Sequence, residues 1–289
     1  MRFTQRSIGR ISRHRRNPAA QLVVLLLALL MTGGLYAFFS PASAEDAATD
    51  QQQIAQGREL FLTSCSFCHG QSGEGIRTAR GGVLGPSLVG VGAAAVDFQV
   101  STGRMPMASQ SAQAPRKPAV FDKEEIAALA AYVASLGPGP AIPTEKDYSL
   151  DGMSDEERER AIVRGGQIFL TNCTACHNFN GSGGAMPRGG YAPSLKGVEE
   201  KHIYEALLTG PQAMPTFSNG NLTPDEKRDV IAYLKSIEEA PQYGGFGLGA
   251  MGPVSEGLFG WVVGIGSLVL AAVWIAAHTT RSSKKKASA

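Results

Sequence analysis

All four cysteines of this 289-residue chain fall in two pentapeptides, Cys65-Ser66-Phe67-Cys68-His69 and Cys173-Thr174-Ala175-Cys176-His177. Two thiols one helical turn apart, followed at once by an imidazole, are what covalent attachment of a haem requires: the sulfurs add across two vinyl groups and the imidazole reaches the iron. A cysteine held in a thioether cannot also form a disulfide, so the even cysteine count does not signal a disulfide framework. The two motifs therefore call for two covalently bound haem c groups, on Cys65 and Cys68 and on Cys173 and Cys176.

The segments around the motifs repeat. Gly57-Arg-Glu-Leu-Phe61-Leu-Thr63 aligns with Gly165-Gly-Gln-Ile-Phe169-Leu-Thr171, and each runs into its CxxCH at a common offset of 108 residues. Arg80-Gly-Gly aligns with Arg188-Gly-Gly, Pro86-Ser-Leu with Pro193-Ser-Leu, and Met105-Pro106 with Met214-Pro215. Each copy closes with a sequence of helical apolar spacing that carries Tyr132 or Tyr233 at matching places. Asp122 and Thr223, each followed by acids, have the form of helix N-caps. Glycine- and proline-rich loops with little strand character lie between. The expected fold is mainly α: two tandem class I cytochrome c domains, 50–138 and 155–240, with a haem supplying much of each small core. Residues 139–154 read as a stiff linker that begins Gly139-Pro-Ala-Ile-Pro143, and residues 241–256 as a glycine-rich join.

His69 and His177 are the proximal ligands. Only His14, His202 and His278 remain, and of these only His202 lies in an outer domain, so two bis-histidine haems are excluded by counting. Methionine is the expected partner across each iron, and Met105 and Met214 occupy the same place in the two copies. Met107 competes with Met105. Met186, also followed by proline, reads as a loop residue, and His202 as a solvent-facing one. Arg80 and Arg188 are candidate partners for the haem propionates, with a solvated surface role as the alternative. Met/His ligation raises a haem's potential and leaves no site for oxygen or peroxide, which suits electron transfer better than catalysis.

Charge is distributed unevenly. Residues 1–44 carry six Arg and no acid, the tail adds Arg281, Lys284, Lys285 and Lys286, and residues 45–250 hold 17 Lys+Arg against 24 Asp+Glu. An acidic middle argues against nucleic acid as a partner. Leu22 to Phe39 is an uncharged run before Pro41-Ala42-Ser43-Ala44, a sequence of signal-peptidase form; residues 1–44 are either a cleaved signal or a retained anchor. Residues 257–278 read as a transmembrane helix with Trp261 and Trp274 at its two interfaces, and 279–289 as a cytoplasmic basic tail. Basic flanks outside both runs put the haem domains on the extracytoplasmic face of the cell membrane, where c-type haems are attached.

Duplicated CSFCH and CTACH units, each closing on a Met-Pro loop and followed by a membrane helix, resemble the dihaem cytochrome cc subunits of actinobacterial cytochrome bc1 complexes. The resemblance implies a respiratory chain role within a quinol–cytochrome c reductase. Electrons would pass from the Rieske iron–sulfur protein, after menaquinol oxidation, to cytochrome c oxidase, and the cytochrome b subunit, the Rieske protein and the oxidase would be partners. It assigns Cys65, Cys68, His69 and Met105 to one haem and Cys173, Cys176, His177 and Met214 to the other. A dihaem subunit of a cbb-type oxidase, a free-standing dihaem carrier and a dihaem peroxidase are the other classes open at this point.

Overall fold

The architecture comes from a computed structural model, which describes residues 18–39, 43–109, 111, 113–187, 190–240 and 253–287. The Arg-rich start with His14, Pro41 and Ala42, Arg188 and most of the glycine-rich join lie outside them. The chain divides into two compact units with the boundary after Ala55.

In the first unit, helix α1 (Pro18–Phe39) has an apolar stretch, Gln21–Gly34, shorter than a full membrane span. Helix α2 (Ser43–Ser64) continues into the second unit and leads into the first CxxCH. That motif forms α3 (Ser66–His69), followed by the two short paired strands β1 (Ile76–Arg77) and β2 (Val83–Gly85). Helices α4 (Ala93–Ser101) and α5 (Lys123–Ser135) complete the first domain. After a single turn, α6 (Glu145–Tyr148), the same plan returns: α7 (Asp155–Asn172), α8 (Thr174–His177), the pair β3 (Gly184–Ala185) and β4 (Tyr191–Ala192), then α9 (Glu200–Thr209) and α10 (Pro224–Glu239).

In both domains the first and last helices cross at a glycine. A Cβ on Gly57 would overlap the Ala128 carbonyl, and one on Gly165 would overlap that of Asp229. The missing side chain lets the two backbones touch. One turn on, Phe61 packs against Tyr132 with ring centroids 5.1 Å apart, and Phe169 against Tyr233 at 5.4 Å. Both phenylalanines are fully buried. The last helices begin with reciprocal caps: Asp122 accepts from Glu125 N at 2.9 Å while Glu125 accepts from Asp122 N at 3.0 Å, and Thr223 does the same with Glu226. These caps are the ones the Asp and Thr positions predict.

The start of the linker is part of the first domain and not a spacer. Ala94 N donates to Pro140 O at 3.1 Å, and a Cβ on Gly92 would run into Gly139 and Pro140.

The two domains meet through α4 and α9. Lys201 Nζ lies 2.6 Å from Asp97 Oδ2, and Ser101 Oγ is 3.0 Å from His202 Nε2. The loops after these helices also lock across the seam: Gln113, after α4, bonds both backbone groups of Tyr191 in β4 (2.6 and 3.0 Å), and Gln212, after α9, bonds both of Ala114 (3.2 and 3.3 Å). His202, which the sequence reading placed in solvent, is buried here against Phe98. Glu205, wholly buried beside Asp97, is pushed up to about 10 by burial and by the Asp97 carboxyl, so it is neutral at physiological pH.

The C-terminal helix runs from α11 (Pro253–Phe259) through one π-helical segment, Gly260–Ile265, to α12 (Gly266–Ala287). Its apolar stretch, Glu256–His278, is 23 residues. At about 1.5 Å per residue that exceeds the roughly 30 Å of a hydrocarbon core. Leu258, Trp261, Leu268, Leu270 and Trp274 are all bare. An apolar surface with nothing of its own fold against it suits lipid, consistent with membrane anchoring.

Two outcomes follow from the packing. Gly165→Ala forces α7 and α10 apart and costs about 1–3 kcal/mol, read as a fall in the urea midpoint; an unchanged midpoint would contradict the close crossing. Glu205 stays protonated when folded while its unfolded counterpart ionises above pH 4.5. It therefore contributes stability in full below that pH and loses it progressively up to about pH 10, by at most about 1.4 kcal/mol per pH unit. Glu205→Gln should flatten that decline, so that the variant gains on the native protein as pH rises; parallel stability curves would show that Glu205 is already ionised.

Candidate functional site

Each CxxCH is a tight turn at the end of a long helix. Cys68 N and His69 N both donate to Cys65 O (3.1 and 3.0 Å), and Cys176 N and His177 N to Cys173 O (3.2 and 2.9 Å). The backbone then doubles back: Gly75 N donates to His69 O at 2.7 Å and Gly183 N to His177 O at 2.9 Å. Both glycines have positive φ, 82° and 80°, and a Cβ on Gly75 would lie 2.6 Å from Ser87 N. The return brings Pro86 and Pro193 over the histidines.

His69 Nδ1 is 2.8 Å from Pro86 O and His177 Nδ1 is 3.0 Å from Pro193 O. A carbonyl can only accept, so Nδ1 carries the proton in each ring and Nε2 is left with its lone pair. A metal-binding imidazole needs that tautomer and that outer partner. Burial pushes His177 below its usual pKa, and the hydrogen bond to Pro193 works in the opposite direction. Pro86 and Pro193 belong to the Pro-Ser-Leu match of the duplication, whose role is visible only in three dimensions.

Both histidines face cavities. Domain one encloses about 570 Å³, walled by Phe61, Cys65, His69, Val100, Met105 and Leu129. Domain two encloses about 400 Å³, walled by Phe169, Cys173, Cys176, His177, Met214 and Leu234 among others. These sizes lie within the range of cofactor pockets. Cys68 does not line the first cavity. Burial and the neighbouring Cys68 push the Cys65 thiol up to about 11, and burial and Cys176 do the same to Cys173. An uncharged thioether suits such walls better than a thiolate would. The neutral imidazole with a free Nε2, the paired sulfurs and the apolar walls fit haem c.

Comparison with known proteins agrees with this chemistry. The cytochrome c family matches residues 54–137, and the family described as cytochrome C oxidase, cbb3-type, subunit III matches residues 160–234. The "Cytochrome bc1 complex cytochrome c subunit" of Mycobacterium tuberculosis is 44% identical over 274 residues, covering 94% of this chain and 95% of that protein. The subunit of the same description from Corynebacterium diphtheriae is 42% identical over 283 residues, covering 93% and 98%. The chain belongs to the family of cytochrome bc1 complex cytochrome c subunits. It is an electron-transfer cytochrome of a bc1 complex, and its cytochrome c domains imply covalently bound haem c. A more distant likeness, 25% identity over 71% of this chain, is to the "Cbb3-type cytochrome c oxidase subunit FixP" of Bradyrhizobium diazoefficiens.

The remaining sequence candidates separate clearly. Met107 does not line the first cavity, whereas Met105 does. In domain two Met214 lines the cavity and also packs against the domain core, while Met186 lines it from the strand side and stays outside that core. His202 reaches the same wall, but its Nε2 is turned to Ser101 of domain one. Arg80 is exposed on the turn closed by Thr78 N and Gly82 O and lines neither cavity. The cavity walls instead include two arginines, Arg104 and Arg116, that sequence reasoning missed. They sit in the loop of one domain and face the cavity of the other, a relation no repeat alignment encodes.

Proposed function

We propose that this chain is the membrane-anchored, dihaem electron carrier of its bc1 complex, taking electrons from the Rieske iron–sulfur protein after menaquinol oxidation and handing them to cytochrome c oxidase. In this reading Cys65 and Cys68 hold one haem c and Cys173 and Cys176 the other. His69 and Met105 would hold the iron of the first, and His177 and Met214 that of the second. The observation that carries it is the pairing, in each of two cavities, of an imidazole with a free Nε2 and the methionine of the repeated Met-Pro loop.

When bound, each haem supplies a one-electron couple that needs no substrate at the iron. The chain's own residues do the rest. The Pro86 and Pro193 carbonyls orient the imidazoles, and Phe61, Leu129, Phe169 and Leu234 keep water out. Gln212 ties the two methionine loops together through Ala114, and Gln113 ties the first of them to Tyr191 of β4, so the two cavities keep a fixed separation.

The cytochrome b subunit, the Rieske protein and the oxidase are the partners, and the chain serves as the electron-transfer subunit of a quinol–cytochrome c reductase. The Lys/Arg flanks of both apolar segments put the haem domains on the extracytoplasmic side of the cell membrane and the C-terminus in the cytoplasm. A cbb-type oxidase subunit is the second reading, favoured by the family match at 160–234 and by FixP. Identity of 44% over 94% of the chain with bc1 subunits, against 25% over 71%, favours the first.

A tag on this chain, in its native membranes and gentle detergent, should bring down cytochrome b, Rieske and oxidase subunits together. Recovery of an isolated dihaem protein, or of an oxidase core without cytochrome b and Rieske, would overturn the assignment.

A further inference from the structure

The two cavities differ in charge. Among the described residues, the wall of the domain-one cavity carries no lysine, arginine or carboxylate side chain. Among the same residues, the wall of the domain-two cavity carries Arg104 and Arg116 and no acid. Both arginines come from the domain-one segment that follows α4, so one domain places cations against the other's cofactor pocket.

Neither guanidinium has a carboxylate within salt-bridge distance among the described residues. Arg104 is half-buried, with its guanidinium carbon 4.7 Å from the centre of the Phe98 ring. Burial, and then the nearby Arg116, press its pKa below the ordinary arginine value. Two like charges facing one apolar pocket raise the energy of the empty site, and an anion placed between them lowers it. Their positions are also held: Gln113 and Ala114, just before Arg116, are bonded to Tyr191 and Gln212 of domain two.

We infer that Arg104 and Arg116 bind the carboxylates of the haem seated in domain two, so that domain one supplies the charge partners of its neighbour's cofactor. This rests on the reading of the domain-two cavity as a haem site. Haem c carries two propionate carboxylates and no other anionic group, and a guanidinium matches a carboxylate in bidentate geometry. Cations there also oppose the extra positive charge of the oxidised iron. They therefore raise the reduction potential of the domain-two haem and leave that of domain one almost untouched, because the first cavity has no such pair.

The test is a redox titration of the full-length, detergent-solubilised holoprotein, with haem content counted by pyridine haemochrome. Met214→His marks which of the two midpoints belongs to domain two. Arg104→Gln combined with Arg116→Gln should lower that midpoint alone, on the order of tenfold in the reduction equilibrium, which is about 59 mV for one electron. Arg104→Lys with Arg116→Lys should recover most of the shift, and Arg80→Gln should cause none. If the double variant fails to assemble, Arg116→Gln alone serves, since that side chain is exposed at the rim and should give a smaller shift of the same midpoint. Two bound haems with unmoved potentials, or an equal fall in both midpoints, would overturn this inference and leave the proposed function standing. A native protein without haem in domain two would overturn both.

Discussion

The hydrogen bond from each CxxCH histidine to a prolyl carbonyl is the constraint on which the site depends. It sets the proton on Nδ1, aims Nε2 into the cavity, and is available only because the chain turns back on itself immediately after the motif. That return needs Gly75 and Gly183, whose positive φ and lack of a Cβ let the Pro-Ser-Leu segment lie against the motif. The glycine crossings at Gly57 and Gly165 then press the first and last helices together and close the apolar wall behind each imidazole. Sequence, turn, packing and ligand geometry form one chain of dependence, written twice.

The duplication is not two independent modules in series. Lys201 and Asp97, Gln113 and Tyr191, and Gln212 and Ala114 join the domains through the helices and loops that also line the cavities. Each methionine loop therefore serves its own cavity and borders the neighbour's: Pro211 and Gln212 of domain two line the first cavity, and Arg104 and Arg116 of domain one line the second. A seam built this way fixes the separation between the two cavities, which is what the proposed internal electron transfer requires of its scaffold.

Most of the fold was legible in the sequence because it is encoded locally. The caps at Asp122 and Thr223, the apolar spacing of the closing helices and the CxxCH turns all follow from residues within a few turns of one another. The seam was not legible. His202 reads as a surface residue because its own helix is amphipathic; only the arrival of Phe98 and Ser101 from the other domain buries it. Arg104 and Arg116 have no counterpart in the second copy, so a comparison of repeats passes over them. Gly139 and Pro140 look like spacer because proline and glycine mark linkers, yet Gly92 supplies the notch that receives them.

The central claim is that both irons are closed, imidazole on one face and methionine sulfur on the other. Electron paramagnetic resonance of the oxidised full-length protein, with haem counted on the same sample, tests it most directly. Two haems per chain, both low-spin and unaltered by cyanide, are the predicted result. A high-spin signal, or a haem that takes up cyanide, would contradict it.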